Sequence, residues 1–180
     1  MARALLGALI VCRDGRDFLA ARITETEAYL GIDDPACHSF RGRRTPRNEV
    51  MWGRAGHLYV YFTYGMHHCA NVVTRLAGVP EAVLLRGALA VAGEEAITAR
   101  RGGRTGGTLL AGPARLCQGL GLDLRHNGLD VTAAGDLFLA SDGLAVEAGE
   151  VRVSSRVGVA YSGEAASWPL RFALAPGARR

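Results

Sequence analysis

Two apolar runs flank an Asp14-Gly15 pair near the start of the chain. Residues 5 to 12 (LLGALIVC) and 17 to 30 therefore predict two strands joined by a tight hairpin turn. In the second strand a period of two puts Ile23, Glu25, Glu27 and Tyr29 on one face, and Thr24, Thr26 and Ala28 on the other. From Gly31 to Gly56 the alternation is lost, and the segment reads as loop and short helix. Thr45-Pro46 there suits an N-cap followed by a first helical position. Leu58 to Tyr64 is a strand rich in aromatic and β-branched residues. Gly65 breaks it and Cys69 to Val73 returns as its partner, which sets Tyr64 near the tip of a hairpin. Val83 to Ala88 is a further apolar strand carrying one charge, Arg86. Gly93 to Arg101 reads as a helix, and a glycine-rich loop (RGGRTGG) follows it. Gly112-Pro113 opens a second helix, ARLCQGLGL, and the remainder alternates weakly in several short strands. No internal repeat or linker interrupts the pattern. The fold class expected is α+β: a single domain over residues 1–180, with a mostly antiparallel sheet and short helices.

Composition narrows the class. With 180 residues, 49% hydrophobic and 21% charged, the chain is an ordinary globule long enough for a substantial core. No apolar run approaches membrane-spanning length, and Arg13, Asp14, Arg16 and Asp17 interrupt the N-terminal apolar stretch, so neither a membrane nor an export signal is expected. The four cysteines lie far apart with no C-x-x-C, and the five histidines show no H-x-x-x-H pairing. No metal site is expected from such spacing; the cysteines read as small buried apolar residues in a reducing compartment.

The formal net charge is +4, which suits a polyanion partner without requiring one. Its distribution is more telling. Arg41, Arg43, Arg44, Arg47 and Arg54 crowd a short stretch that holds one acid, Glu49. Taken alone such a run is a solvated face. All 21 basic residues are arginine, so a P-loop lysine, a pyridoxal-phosphate lysine and a side-chain Schiff base are excluded.

The chemistry concentrates in residues 23 to 74. Glu25 and Glu27 share the predicted strand face, their Cα atoms ~6.6–6.8 Å apart from the strand rise. The pair could act as acid and base in glycoside cleavage or simply be solvated, and the spacing does not choose. Tyr29, Tyr59, Tyr61 and Tyr64 could be packing residues or platforms for a base; an acid, aromatic faces and a positive field together are what chemistry on a nucleic-acid base requires. Arg86, inside an apolar strand, needs a carboxylate, for which Glu27 is a candidate. Cys37-His38 makes a poor nucleophile dyad, because adjacent residues point apart; His38 fits better as a hydrogen-bonding pocket residue. A nucleic-acid-binding module without activity and a carbohydrate hydrolase using both glutamates remain alternatives at this level.

Seven segments, in order, carry a resemblance: ETEAYLG, D-P-x-x-H-S, TPRN, GHLYVYFTYGM with a downstream C-x-N, VLLR, GPARLCQGLGL, and RVGV-x-Y-x-G-E with PLRF. Together, over nearly the whole chain, they resemble the alkyladenine (3-methyladenine) DNA glycosylase family. The resemblance implies a monofunctional base-excision enzyme that needs no cofactor. Its substrate would be double-stranded DNA containing damaged purines of the 3-methyladenine, hypoxanthine and ethenoadenine class. The damaged nucleotide would be flipped out and its N-glycosidic bond hydrolysed by an activated water, leaving an abasic site. By the same resemblance Glu27 is the general base and Arg86 lies near the catalytic water. Tyr29 and Tyr61 are opposite pocket walls, His38 contacts the flipped nucleotide, and Asn71 discriminates against the guanine amino group. Tyr64, on a protruding hairpin, is the wedge inserted into DNA, with Met66 beside it; Arg43, Thr45 and Arg47 grip phosphates. A monomer is implied, cytoplasmic and nucleoid-associated in a bacterium or nuclear in a eukaryote. Glu25 matches no functional position.

Overall fold

The computed structural model describes residues 1–176. Strands β1 (Leu9–Asp14) and β2 (Asp17–Tyr29) form the N-terminal hairpin, turning at Gly15 with φ +63°. Next come β3 (Leu58–Thr63), β4 (His67–Val73), β5 (Ala82–Ala92), β6 (Leu110–Ala111), β7 (Leu137–Ala140), β8 (Val151–Ser154) and β9 (Arg171–Leu174). They make one sheet in the order β3-β4-β5-β2-β1-β7, with β6 added to β5, β9 to β2, and β8 to β9. All the strand pairs among the described residues are antiparallel. Helices α1 (Glu94–Arg100) and α2 (Pro113–Leu120) cover one region of the sheet, and short 3₁₀ turns fill the connections. Mixed α+β with a mainly antiparallel sheet is thus what the alternation predicted.

The core lies between the sheet and the two helices. Leu116, Cys117 and Leu120 of α2 pack with Ile97 of α1 against Val72, Val83, Leu85 and Ile23. Gly119 permits this close approach: a Cβ there would collide with Leu110 and press on Ile97 at 3.0 Å. All four cysteines are free and buried. No helix among the described residues is long and apolar enough to cross a membrane.

One expectation about β2 fails. Ile23 does not share a face with Glu25, Glu27 and Tyr29. The register against β5 shifts between Ile23 and Glu25 and again between Glu25 and Thr26. Ile23 therefore pairs with Ala88, whereas Thr26 pairs with Leu85 and Ala28 with Val83. Ala88, Leu85 and Val83 all belong to the core. The extra residue of the bulge changes the parity of the strand, so the core side reads Ile23, Thr26, Ala28 and the other side reads Glu25, Glu27, Tyr29. Tyr29 joins a separate cluster with Cys37, Met51, Tyr59, Tyr61 and Val73, away from the main core.

Thr45-Pro46 does not cap a helix either. The nearest helical turn is Glu49–Trp52, and Asn48 organises the loop before it. Its Oδ1 accepts from the Thr45 amide (2.7 Å) and hydroxyl (3.0 Å), while its Nδ2 donates to the carbonyls of His38 (3.1 Å) and Arg43 (2.9 Å). A buried amide with four bonds holds this turn more firmly than a hydroxyl cap would.

Candidate active site

A cavity lies beside the second cluster, with about 360 Å³ of space that is partly open to solvent. Tyr29 from β2, Tyr59 and Tyr61 from β3, Asn71 from β4, His38 from the 31–52 loop and Tyr161 from the C-terminal region line it. Strand pairing explains much of this assembly, because Tyr59 stands opposite Asn71 and Tyr61 opposite Cys69. The Tyr59 and Tyr61 rings are 5.4 Å apart, and His38 meets Tyr61 edge-on at 4.7 Å. His38 Nδ1 and the Tyr59 hydroxyl are 2.9 Å apart, and Asn71 Nδ2 donates to the Tyr59 carbonyl at 3.1 Å.

Glu27 is not among the lining side chains but is joined to them through Tyr29. Its residue is 0% exposed. Oε2 accepts from the Tyr29 hydroxyl at 3.0 Å and Oε1 from the Val157 amide at 2.8 Å. Arg86 Nε lies 3.4 Å from Oε1, but its hydrogen bond, at 2.8 Å, goes to Glu25. Arg86 is thus closer to Glu25 than to the carboxylate the sequence suggested for it.

The surroundings set protonation. Burial pushes the Tyr29 phenol up, and the Glu27 charge and its hydrogen bond push it further, so Tyr29 stays a donor. Tyr61 is raised by burial, as is Tyr59, to about 12. His38 moves the other way, to about 4, through burial and then the charges of Arg47 and Arg43. At neutral pH its imidazole is uncharged. Burial opposes the Arg86 charge, but Glu27 and Glu25 outweigh it and hold the guanidinium protonated.

The remaining predicted residues lie in the turn over residues 43–47 and at the tip of the β3–β4 hairpin. Arg47 stacks over Tyr61 with its guanidinium carbon 5.3 Å from the ring centre and donates to the Phe62 carbonyl at 3.0 Å. Arg43 is exposed and Thr45 half-buried in the turn built on Asn48. Tyr64 and Met66 sit at the tip of the β3–β4 hairpin, 86% and 67% exposed. Tyr64 has φ +51°, a left-handed conformation uncommon for a large side chain, and Gly65 follows at +67°. The Met66 amide closes the turn on the Thr63 carbonyl at 3.2 Å. A large apolar ring held in that conformation, pointing away from any core, argues for a contact outside the chain.

Several residues that ended the sequence reading without a role are bonded beside the cavity. Glu25 Oε1 accepts from both Arg86 and Arg171, the latter at 2.6 Å. Asp34 and Arg156 form an ion pair with both side chains 0% exposed; the Nη2–Oδ1 bond is 2.8 Å, and Nη1 bonds Oδ2 and, at 3.1 Å, the Ala28 carbonyl. Tyr161 donates to the Ala36 carbonyl at 3.2 Å and borders the cavity. Asp34 and Arg156 lie 122 positions apart, and local spacing carries no trace of such a pair. The only available hint was the inclusion of D-P-x-x-H-S and RVGV in the motif series.

Among the described residues no group of three or more His, Cys, Asp or Glu converges as a metal site. A buried carboxylate held by donors, an adjoining aromatic cavity and nearby arginines are a combination chemically suited to hydrolysis on a flat, ring-shaped group presented by a polyanion.

Comparison with known proteins agrees. The family described as Methylpurine-DNA glycosylase (MPG) matches residues 1–177. A Bdellovibrio bacteriovorus protein provisionally named a 3-methyladenine DNA glycosylase is 43% identical over 175 residues, covering 97% of this chain and 88% of its own. Proteins of the same provisional name from Carboxydothermus hydrogenoformans and Methanocella arvoryzae are 46% and 43% identical. They cover 88% and 96% of this chain and 82% and 84% of their own. The protein is a DNA glycosylase, a hydrolase acting on N-glycosyl bonds. It belongs to the methylpurine-DNA glycosylase family.

Proposed function

We propose that this glycosylase excises alkylated or deaminated purines, the 3-methyladenine, hypoxanthine and ethenoadenine class, by water attack at C1′ of a flipped nucleotide. The observation that carries the reading is Glu27: a fully buried carboxylate held by the Tyr29 hydroxyl and the Val157 amide directly behind an aromatic cavity. A carboxylate offers about four lone-pair directions. Those two donors, with Arg86 at 3.4 Å, leave one for a water. Glu27 takes the proton of that water, a step that typically contributes ~10²–10⁴-fold, and its charge stabilises the cationic sugar as the bond to the base breaks. The base leaves with the bonding electrons, the water oxygen bonds to C1′, and an abasic site results. Arg86 helps orient the water and the carboxylate.

Flipping costs a few kcal/mol, less where damage has weakened the pair. Stacking returns ~1–3 kcal/mol per base, and Tyr29 and Tyr61 supply the walls. His38, neutral at pH 7, contacts the flipped nucleotide, and Asn71 disfavours guanine by opposing its amino group. Tyr64, with Met66 beside it, fills the gap in the duplex, while Arg43, Thr45 and Arg47 hold phosphates around the lesion. The enzyme acts as a monomer and without a lyase step, and the absence of any lysine side chain to form an imine fits that water-dependent route.

The glycosidase alternative loses its second carboxylate, because Glu25 is bound by two arginines. The decisive experiment uses hypoxanthine- and ethenoadenine-containing duplexes with alkali treatment. The wild type is expected to give strand breaks only after alkali, and Glu27→Gln to keep lesion binding while losing excision. Wild-type excision by Glu27→Gln would overturn the assignment, and breaks without alkali would overturn the monofunctional reading.

A further inference from the structure

Glu25 emerged from the sequence with no role, although it lies two residues from the proposed base. In the structure its Oε1 accepts from Arg86 Nε at 2.8 Å and Arg171 Nε at 2.6 Å. The two arginines arrive from opposite sides: β5 supplies Arg86, and β9 supplies Arg171, which stands opposite Glu27 in the β2–β9 register. Gly87 leaves room for the Glu25 side chain, since a Cβ there would press on its Cβ at 3.3 Å. The same Arg86 Nε lies 3.4 Å from Glu27 Oε1. One guanidinium nitrogen is therefore shared between two carboxylates and hydrogen-bonded to only one.

We propose that Glu25 is a positioning residue that holds Arg86 off Glu27, so that the proposed general base stays a base instead of collapsing into a full ion pair. This inference rests on the reading of Glu27 given above. Without Glu25 nothing on the far side draws Arg86 back, and the gap to Glu27 closes. A direct ion pair stabilises the carboxylate, which weakens it as a base. Losing the neighbouring negative charge acts in the same sense. Arg171 works oppositely: it competes with Arg86 for Glu25. Removing it binds Arg86 to Glu25 alone and takes a positive charge away from Glu27.

The groups that bear on Glu27 are few. They are Glu25 and Tyr29 on β2, Arg86 on β5, Arg171 on β9 and Arg156 after β8, with Cys69 of β4 beyond Arg86. Glu25 itself is pushed up by burial, but the two arginines outweigh this and keep it ionised.

The test is the single-turnover excision rate on a hypoxanthine duplex as a function of pH. For Glu25→Gln we expect unchanged lesion affinity, a rate lower by about tenfold at neutral pH, and an acidic limb moved down by about one unit. For Arg171→Gln the acidic limb should move up. Opposite displacements distinguish positioning from mere structural damage, which would lower both rates without moving either profile, and Glu25→Asp should restore part of the rate. Unmoved profiles, or displacements in the same direction, overturn the proposal. Glu27→Gln serves as the parallel control: if it still excises, the reading of Glu27 fails, whereas its inactivity beside an unmoved Glu25→Gln profile defeats only this inference. If Glu25→Gln does not fold, the Arg171→Gln displacement decides alone, an unmoved or downward limb overturning the proposal.

Discussion

Arg156 lies over the ring of Tyr29, its guanidinium carbon 4.8 Å from the ring centre, so this wall of the cavity is backed by a buried cation. Asp34 neutralises that cation from the loop that also carries His38. Burial pushes the Asp34 carboxyl up, but Arg156 and the Leu30 and Ala36 amides outweigh it and hold it below the usual range. Asp34→Asn leaves a buried charge unpaired and should cost about 3–5 kcal/mol, a fall of about 6–20 °C in melting temperature. Thermal unfolding followed by circular dichroism checks this. The sign with pH follows: the ion pair's contribution is full above the ordinary aspartate range and disappears as pH falls through the depressed folded value, a loss Asp34→Asn should not show.

His38 gives a second pH signature. Its folded pKa, about 4, lies below the ordinary 6.5, so the unfolded chain takes up the proton first. Stability from this residue is therefore complete above about 6.5 and declines as pH falls towards 4. The residue is exposed to solvent, so the loss is much smaller than full burial would impose. An imidazole titration by NMR should give a midpoint near 4 for His38, and His38→Gln should flatten the stability profile in that window.

Tyr64 contacts no core, and Tyr64→Ala should leave the melting temperature unchanged. Affinity for a lesion in paired duplex should fall by about 5–150-fold, the equivalent of ~1–3 kcal/mol of stacking. Excision of the same lesion placed in an unpaired context should change much less. An equal loss on both substrates, measured by single-turnover kinetics, would speak against the wedge.

Arg43 and Arg47 should separate under salt titration. Arg43 is exposed, and Arg43→Ser should reduce the slope of log affinity against log salt by about 0.9 without altering the excision rate at saturation. Arg47 also covers Tyr61 and binds the Phe62 carbonyl. Arg47→Ser should lose the same slope and, in addition, about two- to fivefold in preference for damaged over undamaged duplex.

The elements themselves were mostly legible in the chain. The hairpin at Asp14-Gly15, the aromatic strand ending at Tyr64, the apolar strand around Arg86 and the helix opened by Pro113 all stand where the alternation and turn residues put them. Tyr29, His38, Tyr61 and Asn71, taken from the motif resemblance, meet at one cavity. What failed locally was the parity of β2 and the cap at Thr45, because a bulge leaves no mark in the hydrophobic pattern and Asn48 acts backwards on residues before it.

Residue type, periodicity and motif order were thus enough for the strands, the hairpin tip and the family, since each depends on neighbours in the chain. The pairings that prepare the site were not. Arg171 reaches Glu25 across 146 positions, Arg156 reaches Asp34 across 122, and the Val157 amide reaches Glu27 across 130. Only packing of β5, β9 and the C-terminal segment against β2 chooses those partners, because a buried charge accepts whichever opposite charge the folded backbone carries to within about 3 Å of it.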